Sequence, residues 1–265
     1  MKIDISDILD DWPYEPGQIT VRRIRGEDGR DKIQFRLDLG MLQMEVTGRP
    51  DGERPYSYES LLAYYQAQLK RYRDNDNEQD FKLDEQACER LRAEGLMYYH
   101  RYLAAFILED YDIVEADTAR SLEMMDLCSR HAVEESDKFV VEHYRPYVLM
   151  MRARARARMA LADNRPKAAL SAVQEAIADV TACFQRMGEG ERASQSMELA
   201  TLQALAAEIE ARVPVDPVTR LRKQLATALE EERYEDAAAI RDQLRRVSPD
   251  STDQPATKPD ETDQQ

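Results

Sequence analysis

The segment 217–247 reads PVTRLRKQLATALEEERYEDAAAIRDQLRRV and carries the clearest helical pattern in this sequence of 265 residues. Apolar side chains recur at helical spacing on both sides of an acidic break, namely Val218, Leu221, Leu225 and Ala228 before it and Ala237, Ile240, Leu244 and Val247 after it. Pro217 suits the first turn of a helix, and Pro249 ends the second one. The pattern therefore predicts a helical hairpin over residues 216–248.

A hairpin of about thirty residues buries too little apolar surface to be stable by itself. The segment has no cysteine or histidine that could hold a disulfide or a metal ion. Its apolar stripe is therefore expected to dock on the rest of the chain, on a second copy, or on another protein. This expectation makes the hairpin an interaction element.

The segment resembles the UVR motif, a helical hairpin shared by the bacterial excision-repair proteins UvrB and UvrC, by the C-class Clp ATPase and by the activator of its arginine kinase. In that family an acidic and aromatic turn precedes two alanines, one variable position, an aliphatic residue and Arg-Asp. Here Tyr234 takes the aromatic place, where phenylalanine is commoner. Ala237 and Ala238 form the alanine pair, and residues 240–242 form the closing triplet.

The resemblance implies a protein–protein contact, homotypic or with another such hairpin, in excision repair or in Clp-dependent protein quality control. It does not carry over nuclease, helicase or kinase activity, because the parts that perform that chemistry are absent from the motif. Tyr234 is expected to cap the apolar stripe at the turn. The residues predicted to make the protein contact are Leu221, Leu225, Tyr234, Ala237, Ala238, Ile240, Arg241 and Leu244.

Composition describes a water-soluble globular protein rather than a membrane protein. Hydrophobic residues make up 43% and charged residues 34% of the chain, and no stretch is apolar enough to predict a membrane span. The net charge of −15 argues against nucleic acid as a general partner, since that role needs a basic surface. Three widely spaced cysteines and an acidic start without an apolar leader predict a cytoplasmic protein.

Residues 1–75 are expected to form a small antiparallel β-sheet with a helix. Apolar residues alternate with polar ones from Ile19 through Val46, which predicts three short strands, and a helical pattern follows from about Ser57 to Arg73. Gly48 and Gly52 indicate turns, with a phosphate-binding loop as the alternative. The stretch 36–52 also resembles one found in uncharacterised bacterial proteins that end in a UVR motif.

A polar linker at 74–80 predicts a domain boundary, after which residues 81–213 are expected to be helical. Five helices are predicted, over about 84–108, 112–131, 138–161, 166–187 and 191–213. The bends at 107–111 and 161–165 form a weak internal repeat, similar to tetratricopeptide repeats but also compatible with a plain helical bundle. Residues 249–265 are polar and proline-bearing, which predicts a disordered tail. The predicted fold class is α+β, mainly α.

The histidines and cysteines do not form a recognisable site. Cys128 and His131 have a CxxH spacing, but a zinc site needs a second close pair, and His143, Cys88 and Cys183 are too scattered to supply one. No nucleophile with a base and an orienting group can be assigned either. The sequence therefore predicts no metal, no cofactor and no catalytic site.

Four arginines alternate with alanines along one predicted helix, namely Arg152, Arg154, Arg156 and Arg158. Steps of two residues advance about 200° around a helix, so the row splits onto two sides. The leading hypothesis is a non-enzymatic adaptor or scaffold that acts through the hairpin. The alternative is a DNA-associated accessory of nucleotide excision repair that binds through the arginine-rich helix.

Overall fold

The computed structural model describes residues 4–213 and 217–247. The chain divides into two units, Met1–Arg212 and Val213–Gln265. The described part is mainly helical with one small antiparallel sheet, which confirms the predicted α+β class. The predicted disordered tail at 249–265 lies outside the described residues.

The first unit begins with a short helix, α1 (Ser6–Asp10), and an antiparallel sheet in the order β1-β2-β3. Its strands are β1 (Val21–Arg25), β2 (Asp31–Arg36) and β3 (Met41–Glu45). Ile33 pairs with Met44 in the register of β2 and β3, and both side chains are buried together with Phe35. This face of the sheet packs against Ala104 of the helix that covers it.

The remaining helices of the first unit follow almost without interruption. They are α2 (Leu61–Asp74), α3 (Glu85–Ile107), α4 (Tyr111–His131), α5 (Glu135–Ala162), α6 (Pro166–Arg186), α7 (Gly190–Ala193) and α8 (Met197–Glu210). Helix α3 packs on α4, α4 on α5, α5 on α6, and α6 on α8. Such packing in chain order is common to both architectures that the sequence allowed, a helical bundle and a tetratricopeptide-like array.

Side-chain caps account for two differences from the predicted helices. The Ser60 hydroxyl accepts a hydrogen bond from the Ala63 amide at 3.1 Å, so α2 begins later than the predicted start near Ser57. The Ser196 hydroxyl likewise accepts from the Leu199 amide at 3.1 Å and starts α8. The single predicted helix over 191–213 is therefore two helices, α7 and α8.

The structure groups residues on both sides of the polar linker at 74–80 in one unit, whereas the prediction separated 1–75 from 81–213. Leu61 and Leu69 of α2 belong to the same buried cluster as Leu91 of α3. The buried face of the sheet packs on Ala104 of the same helix. Both the sheet and α2 therefore lie against the helical body.

The chain reverses after α3 and after α5 by the same turn. Glu109 and Asn164 have left-handed backbone conformations, with φ of 59° and 55°. The Asp110 amide donates to the Ala105 carbonyl at 2.9 Å, and the Arg165 amide donates to the Ala160 carbonyl at 2.8 Å. These bonds define a Schellman motif at each bend, so the two bends of the predicted repeat are equivalent.

Buried charges connect the sheet, α2, α3 and α4. The Glu94 carboxylate on α3 accepts from the backbone amides of Leu61 and Leu62 at 2.8 and 3.2 Å, and it pairs with Arg49 and Arg120. Gly48 and Gly52 have φ of 70° and 77°, which confirms that the loop around Arg49 consists of turns.

A second buried pair lies on the same two helices. Arg101 of α3 donates two hydrogen bonds to the Asp117 carboxylate of α4, at 2.8 and 2.7 Å. Its Nη1 atom donates to the backbone carbonyls of Glu45 and Gly48 at 3.0 and 2.8 Å. Arg101 thereby ties the end of β3 to α4.

We expect Asp117→Asn to lower the free energy of unfolding by about 3–5 kcal/mol, because it leaves the buried Arg101 without a counter-charge. Urea denaturation followed by circular dichroism measures the change. Asp179→Asn, at an exposed site on α6, is the matched control and should change stability by less than about 0.5 kcal/mol. A variant at position 117 that is as stable as the wild type would contradict this assignment.

We expect Glu109→Gly to raise the free energy of unfolding by about 1 kcal/mol, since glycine adopts the left-handed conformation without steric cost. Thermal unfolding measures the gain. The control is Asp179→Gly, in an exposed helix interior, where glycine should lower stability by a similar amount. Equal effects of the two substitutions would show that the turn carries no strain.

Candidate protein-interaction hairpin

The second unit contains the predicted helical hairpin. Helix α9 (Pro217–Glu230) and helix α10 (Tyr234–Val247) pack against each other and are joined by residues 231–233. Glu232 has a left-handed φ of 56°, and the Arg233 amide donates to the Ala228 carbonyl at 2.8 Å. The turn is therefore the same Schellman motif that closes the α3–α4 bend.

Small and aliphatic residues are the most buried part of the hairpin. Leu221, Ala228 and Ala237 expose 8%, 0% and 5% of their surface. Alanine at such positions allows two helices to approach closely. The other aliphatic positions of the predicted contact are only half-buried, namely Leu225, Ile240 and Leu244.

The remaining predicted contact residues lie toward solvent. Tyr234 exposes 67% of its surface, and Ala238 and Arg241 are also exposed. Tyr234 was expected to cap the apolar stripe, but it begins α10 and most of its side chain reaches solvent. Leu229, which precedes the turn on α9, is also 50% exposed.

The turn of the hairpin is strongly acidic. Residues 230–236 contain five carboxylates and one arginine. Arg233 donates to Glu231 at 2.8 Å and to Asp236 at 2.6 Å, and hydrogen bonds to these two carboxylates raise the pKa of Arg233. The tip of the hairpin therefore presents exposed apolar side chains within a negative field.

The four alternating arginines lie on α5 and split as helical geometry predicts. Arg152 and Arg156 both pair with Glu115 of α4, at 2.9 and 2.7 Å. Arg154 lies instead over the ring of Phe106, 4.2 Å from its centroid. The arginines therefore do not form one continuous row.

This packing shifts the pKa values of Glu115 and Arg154. Burial alone would raise the pKa of Glu115, but hydrogen bonds from Arg156 and Arg152 outweigh it and lower the pKa. Burial lowers the pKa of Arg154, and the nearby charge of Arg158 lowers it further. Arg152 and Arg156 thus share one carboxylate, which offsets one of their two positive charges.

The cysteines and histidines that were weighed as ligands are dispersed in the body. Cys88, Cys128 and Cys183 are free and buried, and the His131 ring packs edge-on against Phe81 at 5.1 Å. Within residues 4–213 and 217–247, no group of three His, Cys, Asp or Glu side chains is placed to bind a metal ion. The same ranges contain no helix with the length and apolarity needed to cross a bilayer.

The sequence patterns did not reveal the buried charges on α3. Glu94 and Arg101 expose only 1% and 4% of their surface, yet charged residues are ordinarily assigned to solvent. The available signal is their spacing, because both continue the buried stripe of Leu91 and Tyr98 at helical intervals. A charge within an apolar stripe indicates a buried pair.

No curated protein and no solved structure matches the chain. The family model of the UvrB/uvrC motif matches residues 217–248. The matched range begins with α9 and includes all of α10. The hairpin formed by these two helices therefore carries a UvrB/uvrC motif, as its alanine pair and its closing Ile-Arg-Asp triplet indicate.

Proposed function

We propose that the protein is a non-enzymatic adaptor or scaffold. In this proposal the first unit is a folded platform, and the hairpin of α9 and α10 binds a partner protein or a second copy of the chain. The observation that carries the proposal is the match of the UvrB/uvrC motif to a helix pair that forms a compact unit of its own. This motif is known from excision-repair proteins, and it is known to take part in protein interaction.

The half-covered aliphatic residues support a docking role. Leu225 lies on α9, whereas Ile240 and Leu244 lie on α10, and each leaves part of its side chain uncovered. Burying the rest in a contact contributes about 25 cal/mol for each Å² of apolar surface removed from water. An amphipathic helix pair gains most from such a contact when a partner supplies an apolar groove.

The exposed tip suggests what the partner surface contains. Tyr234 and Leu229 are large apolar residues beside a cluster of carboxylates. Tyrosine is frequent among the residues that dominate binding energy at protein interfaces. We expect a partner pocket that accepts the tyrosine ring and is bordered by basic side chains.

The alternative of DNA binding through α5 receives less support. Arg152 and Arg156 share Glu115, and Arg154 stacks on Phe106 rather than standing free. A phosphate track needs several unpaired basic side chains along one surface. The net charge of −15 adds a general repulsion of nucleic acid.

We expect Leu225→Asp to abolish association, because it places a charge in the half-buried stripe of the hairpin. Light scattering of the full chain measures self-association, and a pull-down measures binding of a partner. Ala226→Asp is the matched control, since it adds the same charge at an exposed position of α9 and should associate normally.

Tyr234→Ala provides a second test that leaves the packing between the helices intact, because the tyrosine side chain is mostly exposed. We expect it to weaken association at least about tenfold. Circular dichroism should show unchanged helix content for this variant. Association of Leu225→Asp at wild-type strength would exclude the hairpin as the interface.

For DNA, we expect no binding of a fluorescent duplex at low salt, measured by anisotropy. The matched variants are Arg154→Gln, on the unpaired side of α5, and Arg192→Gln, at an exposed site far along the chain. Salt-dependent binding that only Arg154→Gln weakens would favour the DNA-accessory alternative instead.

A further inference from the structure

A cleft in the first unit lies between the turn that follows β3 and helices α2, α3 and α4. Its volume is about 490 Å³, which is large enough for a small molecule. Its wall includes Tyr98 and Arg101 of α3 and Arg120 and Glu123 of α4. All of its lining residues belong to the first unit, whereas the residues of the proposed protein contact belong to the second.

Tyr98 is a buried polar residue in the wall of the cleft. Only 3% of its surface is exposed. Buried tyrosine hydroxyls usually find a partner. Burial raises the pKa of Tyr98 to about 12, so the phenol stays protonated and can donate a hydrogen bond.

Arg120 places a positive charge over the ring of Tyr98. Its guanidinium lies 3.7 Å from the centroid of the Tyr98 ring, and its Nη2 atom donates to Glu94. Its buried Nη1 atom has no acceptor among the described residues. The neighbouring Arg101 differs, because Asp117 and two backbone carbonyls already occupy its donors. Arg120 and Arg49 share the single carboxylate of Glu94, so positive charge remains beside the cleft and favours an anion there.

The rim of the cleft has the opposite charge. Glu59, Asp112 and Glu123 line the cleft with side chains that are exposed to solvent. Gln66 donates to one oxygen of Glu123 at 3.1 Å, which leaves the other oxygen free of that bond. A ligand that enters therefore meets negative charge at the rim and hydrogen-bond donors at the inner wall.

We propose that this cleft binds a free amino acid as its zwitterion. The carboxylate accepts a hydrogen bond from the Tyr98 hydroxyl and lies near the positive charge of Arg120, and the ammonium group lies toward the Glu123 carboxylate. The carboxylates at the rim repel a dicarboxylate that has no positive group. A simple amine has no acceptor for the hydrogen-bond donors at the inner wall. The two ends of the cleft together select a molecule that carries both charges.

The test uses the full chain and the twenty common amino acids, each titrated by calorimetry. Two half-ligands serve as probes: sodium acetate carries only the carboxylate, and ethylamine hydrochloride carries only the ammonium group. We expect at least one amino acid to bind, and both half-ligands to bind at least about tenfold more weakly. Binding should also raise the melting temperature of the protein.

Two variants connect binding to the cleft. Tyr98→Phe removes only the hydroxyl and should weaken binding about tenfold, and Glu123→Gln should weaken it by a similar factor. Tyr144→Phe and Glu210→Gln make the same chemical changes at exposed positions and should bind as the wild type does. These conservative variants avoid the unfolding that loss of Arg120 could cause.

The proposal is overturned by any of three results. No amino acid binds with a Kd below about 10 mM; or acetate binds as tightly as the best amino acid; or Tyr98→Phe retains wild-type affinity. None of these results bears on the hairpin, because Leu225 and Tyr234 lie in the other unit.

Discussion

Glu94 is the carboxylate on which the arrangement of the first unit depends. It exposes 1% of its surface and must therefore find counter-charges and hydrogen-bond donors inside the protein. The first two amides of α2 supply donors, and Arg49 and Arg120 supply charge. Since breaking one such contact leaves a buried charge unpaired, α2, the turn after β3 and α4 are held in one position relative to α3.

The helical reversals rely on backbone geometry rather than on side-chain charge. The bends at Glu109 and Asn164 in the first unit and at Glu232 in the second each place a left-handed residue after a helix and return its carbonyls to backbone amides. Glutamate at two of these three sites is an unusual choice, because glycine adopts this conformation without strain. A single turn type therefore builds helix pairs in both units.

Periodicity explains which parts of this structure could be predicted from the sequence. The strands around Ile33 and Met44, most helices and the separation of Arg152 from Arg154 follow from local spacing. The start of α2 and the division between α7 and α8 did not, because single serine caps determine them. The pairing of Arg101 with Asp117 joins two helices across sixteen residues, and no local pattern encodes that contact.

The same distinction separates the two functional proposals. The hairpin is recognisable because the contacts that form it lie within one short segment. Its structure can therefore be predicted from the local sequence pattern. The cleft instead combines Tyr98, Arg120 and Glu123 with a turn and a helix start from distant parts of the chain. Tyr98 and Glu94 occupy successive positions of one buried stripe, so the network that orders the fold also orients the donors of the cleft. A binding site of this kind can be recognised only from the folded structure, whereas a docking hairpin can be predicted from the sequence.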